Sequence, residues 1–399
     1  MTADATAHLF YDPADLDLDE QTHGIWRRMR DEQPVYRNER LDFWALSRFS
    51  DVWDAYHDTT TFSSSHGVNL ESVPRVPDVQ SIIYLDPPEH EVMRKLVTRA
   101  FTPRRINDLE AHAIALVDEY LDPFVGSEGF DFVEDFGARL APMMIGHLLG
   151  VPKDEREKVG RWFDNMLHRD EGETEPSRTA MMARIAMYRY ATALVADRKQ
   201  QPRDDMVSVL IAADLDDAGE TRQLTDLEVV NFILLLAGAG VETTARALGW
   251  AAVTLARNPD QRQLLVDDPS LIPNAFEELL RYEAPAPVIG RWTPHGFEAH
   301  GVKVPAESKV LLLLASANRD DREYAEPDRF DVRRSIKRHI AFGHGAHYCV
   351  GAALARMESR VALAGALRRF PSWEIDESEL VRVNSVLVRG FSSVPVHLR

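Results

Sequence analysis

The sequence reads Phe342-Gly-His-Gly-Ala-His347-Tyr-Cys349-Val-Gly351 directly before a strongly helical pattern, and Cys349 is the only cysteine among 399 residues. Free backbone N–H groups at the mouth of a helix favour the thiolate form of a cysteine. Glycines beside it would let a flat ligand lie close to the backbone. A lone cysteine is also often an inert core residue. The stretch therefore predicts either a packed thiol or a thiolate ligand.

A second informative segment is a long helix predicted to begin at the capping box Thr225-Asp-Leu-Glu228. Its apolar pattern continues through Leu255 and stops at Asn258-Pro259. The centre reads Ala237-Gly-Ala-Gly-Val-Glu-Thr-Thr244. Each interior glycine costs roughly 1 kcal/mol relative to alanine. This weak, polar centre predicts either close helix packing or a groove where a ligand approaches the backbone.

The composition is that of a globular protein, with 45% hydrophobic and 28% charged residues. The net charge, 46 − 64 = −18, argues against nucleic acid as a partner. One cysteine excludes an internal disulfide and fits a reducing cytoplasm. Val229–Val241, the longest uncharged apolar run in a helical segment, has 13 residues, and a membrane span needs roughly 18. Met1–Glu20 lacks signal-peptide features. We expect a cytoplasmic protein that binds no membrane.

No repeat or low-complexity tract divides the chain, and apolar residues recur mostly at spacings of three and four, which indicates helices. Two polar stretches, His168–Thr179 and Ala212–Thr225, are predicted as surface loops. Alternating runs predict strands or hairpins at Val35–Trp44, Val302–Leu314 and Val381–Leu398. The expected fold is one domain over residues 1–399, mainly α with a small β portion.

Phe342–Gly351 resembles the heme-binding signature of the cytochrome P450 family. Further matches follow in that family's order: His90 to Arg94 after Asp86-Pro-Pro, Ala239-Gly-Val-Glu242-Thr243, Glu278-Leu-Leu-Arg281, Ala317-Asn-Arg-Asp320 and Pro327-Asp-Arg329-Phe330. They extend over about residues 86 to 395, or most of the chain. The resemblance implies the P450 fold, with heme b between the long central helix and the cysteine-bearing loop and helix. Cys349 would be the axial ligand of the iron.

The resemblance also assigns residues to the cofactor. His90, Arg94, Arg291 and His347 would bind the heme propionates, and Ala239, Phe342 and Gly351 would also contact the heme. Glu278 and Arg281 share a helix face, because they are three residues apart. Together with Arg329 they resemble a structural ion-pair group behind the cysteine side of the heme. Removal of one member would leave a buried charge uncompensated, at a cost of several kcal/mol.

Glu242 and Thr243 resemble the family's acid–alcohol pair. Thr243 would donate a hydrogen bond on the oxygen-binding side of the heme, and Glu242 would relay protons from solvent. The alternative for Thr243 is a hydroxyl that bonds back to its own helix. Family members that run on peroxide often lack this threonine, so its presence favours the reductive monooxygenase cycle.

The substrate pocket can be outlined only from the resemblance. The expected residues are nearly all apolar: Ile82, Ile83, Leu235, Gly238, Ala239, Pro287, Val288, Ile289, Leu387 and Val388. They suggest a lipid-like, terpenoid, steroid, aromatic or polyketide substrate. Core packing is the alternative for each position. The loops around 62–84 and 160–185 contain no decisive anchor for a charged substrate.

Electrons must come from other proteins, because the chain lacks room for a flavin or iron–sulfur domain. We expect a ferredoxin and its ferredoxin reductase as partners of a monomer. The docking site would be the basic run Arg333, Arg334, Lys337, Arg338 and His339. A solvated charged loop is the alternative for this run.

Four functions are open at this point. The favoured one is hydroxylation or epoxidation of a small apolar molecule with O2. The second keeps the heme-thiolate but performs peroxygenation, C–C cleavage or phenol coupling. The third is a non-catalytic heme-binding sensor, for which the pair Glu242 and Thr243 would have no use. A nonheme thiol enzyme is the most remote, because no histidine-based activation pattern surrounds Cys349 beyond His347.

Overall fold

Most of the chain is helical, as the apolar spacing predicted. A computed structural model describes residues 9–13, 15, 21–70, 81–101, 103–166, 177–217, 220–383, 385 and 387–399. Its α-helices are α1 (Thr22–Glu32), α2 (Phe49–His57), α3 (Glu89–Ala100), α4 (Pro103–Leu121), α5 (Ala138–Leu148), α6 (Arg156–Asn165), α7 (Arg178–Gln200), α8 (Met206–Ala212), α9 (Asp226–Arg257), α10 (Pro259–Asp267), α11 (Ile272–Tyr282), α12 (Leu314–Ala317) and α13 (Ala352–Arg369). With 55% helix and small sheets, the predicted fold class is confirmed.

The strands are short, and in the described residues they form one four-stranded, one three-stranded and three two-stranded sheets. They are β1 (Val35–Asn38), β2 (Phe43–Leu46), β3 (Gly129–Asp131), β4 (Asp214–Asp217), β5 (Glu220–Gln223), β6 (Val288–Thr293), β7 (Phe297–Ala299), β8 (Val302–Val304), β9 (Ser308–Leu313), β10 (Trp373–Glu374), β11 (Val381–Arg382), β12 (Phe391–Ser393) and β13 (Pro395–Leu398). The largest sheet has the order β1-β2-β9-β6, in which only the β2–β9 pair is parallel. All three predicted strand regions contain strands.

The long helix α9 is the centre of the fold. Thr225 caps it through the predicted capping box, and Asn258 ends it. It packs against α5, α7 and α13, among others, and most of its side chains from Val229 to Leu255 are buried. In the described part of the chain α9 alone is long and apolar enough to cross a membrane, with a mean hydropathy of 1.4 over its most apolar window. Its burial identifies it as the core helix of this fold.

One predicted loop contains a hairpin instead. Within Ala212–Thr225, β4 pairs with β5 in an antiparallel register, with Leu215 opposite Arg222. Leu215 and Leu224 are both buried in the main core, so two apolar anchors hold a segment that is otherwise mostly polar. Two anchors nine residues apart give no visible alternation, and the pattern therefore resembled a loop.

The segment after α12 leads to the cysteine and is held by its motif residues. Asn318 is fully buried and accepts a hydrogen bond from the backbone N–H of Ile340 at 2.9 Å. Asp320 accepts one from the N–H of Phe49 at the start of α2, also at 2.9 Å. The Ala317-Asn-Arg-Asp320 motif thus fastens the approach to the cysteine loop onto α2.

Candidate functional site

A cavity of about 1190 Å³, its open mouth included, lies between α9 and the cysteine loop. One wall is formed by Ala239, Gly240 and Thr243 of α9, and the opposite wall contains Cys349 and Gly351. Ligand pockets are mainly apolar, and most of the residues that line this cavity are apolar as well.

The thiol of Cys349 faces this cavity. Its surface is exposed to the cavity space, although protein surrounds the residue on the other sides. Burial raises the pKa of the Cys349 thiol, and the backbone N–H groups of Gly351 and Ala352 oppose that effect. The predicted influence of the helix mouth is present, but burial outweighs it. A metal cation bound to the sulfur would reverse this balance, because a coordinating thiol loses its proton.

Two glycines of the cysteine loop allow α2 to pack close to the loop backbone. Gly343 and Gly345 have φ values of 69° and 62°, which favour glycine. A Cβ atom on Gly345 would lie 2.7 Å from the carbonyl oxygen of Tyr56, and one on Gly343 would lie 3.1 Å from its hydroxyl. The close approach of Tyr56 therefore requires glycine at both positions, and Gly343 also lines the cavity, where the sequence analysis expected a flat ligand. Gly351 lines the cavity as predicted.

The four cations expected at the propionates lie near one another. Arg291 and His347 line the cavity, and the ring centroids of His90 and His347 are 4.2 Å apart. Burial and the nearby charges of Arg291 and His90 lower the pKa of His347 to about 3. Burial lowers the pKa of Arg94 as well, and Cys349 partly offsets this. Arg94 and Arg291 therefore carry the positive charge of this cluster, and His347 stays neutral beside them unless an anion binds.

This arrangement fits heme b. In the described part of the chain, the Nδ1 atom of His90 is buried without a hydrogen-bond partner. Arg94 and Arg291 have no carboxylate within ion-pair distance there. Two propionates would satisfy these groups, and a flat macrocycle would cover the apolar wall above Cys349.

The polar centre of α9 divides between the cavity and the core. Thr243 lines the cavity, and its hydroxyl donates to the carbonyl oxygen of Ala239 at 2.7 Å. This is the back-bonded alternative foreseen for Thr243. Glu242 is buried and does not line this cavity. The two residues are thus neighbours on one turn but face different surroundings.

The structure brings some of the predicted pocket residues to this cavity and places others elsewhere. Ile83, Ala239 and Ile289 line the cavity. The main core contains or contacts two of the others, Ile82 and Leu235. A separate cavity of about 490 Å³ beside the N-terminal segment is lined by Pro287, Val288 and Val388. Neither cavity is lined by Gly238 or Leu387.

Other side chains complete the cavity, and the sequence analysis missed them. They include Tyr56, Val68, Phe101, Ile145 and Leu236. Leu236 could have been found, because it precedes Gly240 by four residues and Thr243 by seven and so shares their face of α9. The remaining four come from distant segments, and no local pattern marks them.

The ion-pair group contains Arg334 and not Arg329. Glu278 pairs with Arg281 at 2.7 Å and with Arg334 at 3.0 Å, and the side chains of Glu278 and Arg281 are fully buried. The side chain of Arg329 is 58% exposed and pairs with Glu326. Only its carbonyl oxygen points inward, where it accepts from Arg334 at 2.8 Å. The prediction of Arg329 was therefore wrong.

The predicted ferredoxin-docking surface has fewer free basic residues than the sequence suggested, because several of them pair with carboxylates. Arg334 is mostly buried, at 14% exposure, because it belongs to the Glu278 group. Arg338 pairs with Glu323 at 2.8 Å, and His339 pairs with Glu277 at 2.8 Å. Arg333 and Lys337 remain exposed, and neither has a carboxylate partner in the described part of the chain.

Comparison with known proteins decides the family. The sequence model of the Cytochrome P450 family matches residues 161–267 and 267–390. The chain belongs to the cytochrome P450 family. It is thus a P450 monooxygenase, an oxidoreductase, and its cofactor is heme b with the thiolate of Cys349 as axial ligand.

Relatives of similar length support this assignment. A Mycobacterium tuberculosis protein whose name places it in the same family, as cytochrome P450 123, is 40% identical over 395 residues, which cover 98% of this chain and 97% of that protein. A steroid C26-monooxygenase of Mycobacterium tuberculosis is 37% identical over 380 residues, with 94% of this chain and 93% of that protein covered.

Solved P450 structures have the same fold. CYP109Q5 from Chondromyces apiculatus superposes with a TM-score of 0.89 at 34% identity, over 97% of this chain and 98% of that chain. CYP109E1 from Bacillus megaterium in complex with corticosterone superposes with a TM-score of 0.85 at 30% identity, over 95% of this P450 and all of that chain.

Proposed function

We propose that this P450 inserts one oxygen atom of O2 into a small, largely apolar molecule by hydroxylation or epoxidation. Electrons would come from a separate ferredoxin and its reductase. The observation that carries the proposal is the apolar cavity that faces Cys349 on one side and Thr243 on the other. We further propose that the protein works in the cytoplasm as a monomer, with one catalytic domain over residues 1–399.

The cavity supports an apolar substrate of about steroid size. Leu236, Ile145 and Phe101 line it together with Ile289 and Val68. Burial of apolar surface contributes about 25 cal/mol per Å², so a rigid hydrocarbon skeleton would gain most here. The related CYP109E1 structures contain corticosterone or testosterone. We therefore propose a steroid, terpenoid or compact polyketide.

The residues of α9 would transfer protons from solvent to the oxygen-binding side of the heme. When bound, the heme supplies activation of O2 and cleavage of its O–O bond. Threonine in a helix populates two χ1 rotamers, so the hydroxyl of Thr243 can leave the Ala239 carbonyl and turn toward the cavity. The bond that it gives up is worth about 0.5–1.5 kcal/mol. Glu242, buried on the same turn, would pass protons from solvent to this hydroxyl.

The cation cluster would orient the cofactor. Arg291 lies with its guanidinium 5.4 Å from the ring centroid of Tyr56, and both residues line the cavity. Arg291 and Arg94 place positive charge at one end of an apolar slot, and the rings of His90 and His347 lie beside them. A molecule with two carboxylates at one edge would bind in a single orientation there.

The electron-transfer partner would bind at the basic residues that remain exposed just before the cysteine loop. Arg333 and Lys337 are exposed, whereas Arg334 is occupied by Glu278. Such charges would speed the association of an acidic ferredoxin. Charge reversal at Arg333 and Lys337 should therefore slow turnover with ferredoxin and leave peroxide-driven turnover unchanged. Equal losses in both assays would exclude docking at these residues.

The test of the proposed function is substrate binding followed by product analysis. The heme-loaded protein is titrated with corticosterone, testosterone, a monocyclic terpenoid and a linear fatty acid, and the heme spin state is recorded. A compound that shifts the spin state should give a product 16 mass units heavier with O2, ferredoxin and reductase. Product with peroxide alone would instead favour the peroxygenase alternative. Reductant consumption without product from any binding compound would contradict the proposal.

A further inference from the structure

A second groove lies among α4, α5, α6 and α9, away from the heme-binding residues. Its volume is about 1200 Å³, and four arginines line it: Arg139, Arg156, Arg161 and Arg246. The lining also contains Tyr120, Pro142 and Met143, and two carboxylates, Glu134 and Glu157. The charged lining is thus 4 − 2 = +2 in a chain whose net charge is −18.

These arginines differ from most others in the molecule. Buried or exposed, most arginines of the described chain pair with a carboxylate, as Arg198 does with Asp205 and Arg369 with Asp118. None of the four groove arginines has a carboxylate within ion-pair distance in the described residues. The groove therefore concentrates positive charge that the protein itself leaves uncompensated.

Their existing contacts are with neutral groups. The guanidinium of Arg139 lies 4.3 Å from the ring centroid of Tyr120. Arg156 donates through Nε to the carbonyl oxygen of Val151 at 2.9 Å, and burial lowers its pKa. Arg246 donates through Nη1 to the carbonyl oxygen of Phe391. These contacts hold the guanidiniums in place and supply no negative charge.

Arg246 is the member that most requires a ligand. It is 4% exposed, and within the described chain its Nε has no hydrogen-bond partner. A buried, unpaired charge is costly. Arg94 and Arg291 likewise have no carboxylate partner in the described chain, and they lie at the heme site, where the family's cofactor brings two carboxylates. The comparison indicates that the groove, like the propionate site, is completed by an anion from outside the chain.

We infer that this groove binds a small polyanion with two or more phosphate or carboxylate groups. Guanidiniums bind both groups through paired N–H donors. Tyr120, Pro142 and Met143 of the same lining would contact a less polar part of the ligand. Arg246 lies three residues after Thr243 on α9, so occupation of the groove is linked to the helix that bounds the heme cavity. Such coupling is reciprocal for binding.

The test uses inorganic pyrophosphate and citrate as probes of the heme-loaded protein. Binding is measured by calorimetry at fixed ionic strength. We expect saturable binding of at least one probe, and at least about tenfold weaker binding in Arg139→Ala/Arg161→Ala, since each lost charged hydrogen bond weakens affinity by that order. Both residues are exposed, so the variant should fold and load heme normally. Tighter binding of pyrophosphate would identify a phosphate ligand, and tighter binding of citrate a carboxylate.

A matched control separates a site from general charge. Arg178 and Arg189 of α7 are exposed and also lack a carboxylate partner in the described chain. Arg178→Ala/Arg189→Ala removes the same charge and should bind the probes as the wild type does. The inference is overturned if neither probe binds saturably to the wild type, or if the two double variants weaken binding equally. Substrate binding at the heme is assayed separately, so failure here leaves the proposed oxidation intact.

Discussion

The two walls of the heme cavity are built in opposite ways. Behind Cys349, charged groups are paired: Glu278 with Arg281 and Arg334 in the interior, and Glu277 with His339 and Arg356 in partly exposed positions. The α9 wall is apolar, and the back-bonded hydroxyl of Thr243 is among its few polar contacts. A network of paired charges permits one geometry, whereas an apolar wall accepts many shapes. The cysteine side therefore fixes the cofactor, and the α9 side can adapt to a substrate.

The largest expected effect comes from breaking the charged wall at Glu278. Glu278→Gln leaves two guanidiniums, those of Arg281 and Arg334, inside the protein without their carboxylate. Loss of one partner from a buried ion pair costs about 3–5 kcal/mol. We expect a lower midpoint in urea unfolding and a lower heme-loaded fraction. As a control, Glu326→Gln removes the carboxylate of the exposed Arg329 pair and should change stability by less than about 1 kcal/mol. Similar losses in both variants would contradict the comparison.

The corrected ion-pair partner can be tested in the same way. Arg334→Ala should destabilise the fold by about 2–4 kcal/mol, because it leaves part of a buried carboxylate unpaired. Arg329→Ala should cost less than about 1 kcal/mol, since that side chain is exposed. Urea unfolding of both variants measures the difference. If Arg329→Ala proved the more damaging variant, the assignment of Arg334 to the buried group would be wrong.

The second network predicts a pH dependence. Burial opposes ionisation of Glu277, but hydrogen bonds from His339 and Arg356 lower its pKa from 4.5 to about 2. A lowered pKa contributes stability that is complete above pH 4.5 and disappears as the pH falls through about 2. We therefore expect the wild type to exceed Glu277→Gln by about 3 kcal/mol at pH 7, with the difference shrinking below pH 4.5. A difference independent of pH between 7 and 3 would contradict this account.

On the adaptable wall the effects should be smaller and confined to the substrate. Leu236→Ala removes apolar surface from the cavity and should weaken binding of an apolar substrate by about five- to tenfold, or about 1–1.5 kcal/mol. Leu235→Ala, one residue earlier and outside the cavity, should leave the spectrally measured Kd unchanged. Heme loading should be normal in both. Equal effects of the two variants on Kd would show that the face of α9 assigned to the cavity is wrong.

These contrasts explain what the sequence could predict. Cys349, the capping box of α9 and the Glu278–Arg281 pair lie within single short segments, where spacing alone brings residues together. Arg334 and Tyr56 reach the site through irregular chain or from a distant helix, so no spacing marks them. The hairpin within Ala212–Thr225 is anchored by two buried leucines, Leu215 and Leu224, that are nine residues apart. Local patterns thus predicted the site residues that lie within one short segment. The residues that come from distant segments could be identified only from the three-dimensional structure.

The most direct test of the central claim, that the thiolate of Cys349 holds the heme opposite an apolar cavity, is the absorption spectrum of the reduced protein with carbon monoxide. We predict the strongly red-shifted Soret band of a thiolate-ligated heme. The cavity wall at Thr243 should not affect it, so Thr243→Ala should give the same band. A spectrum typical of histidine ligation in freshly prepared protein, or no heme at all, would contradict the assignment of Cys349.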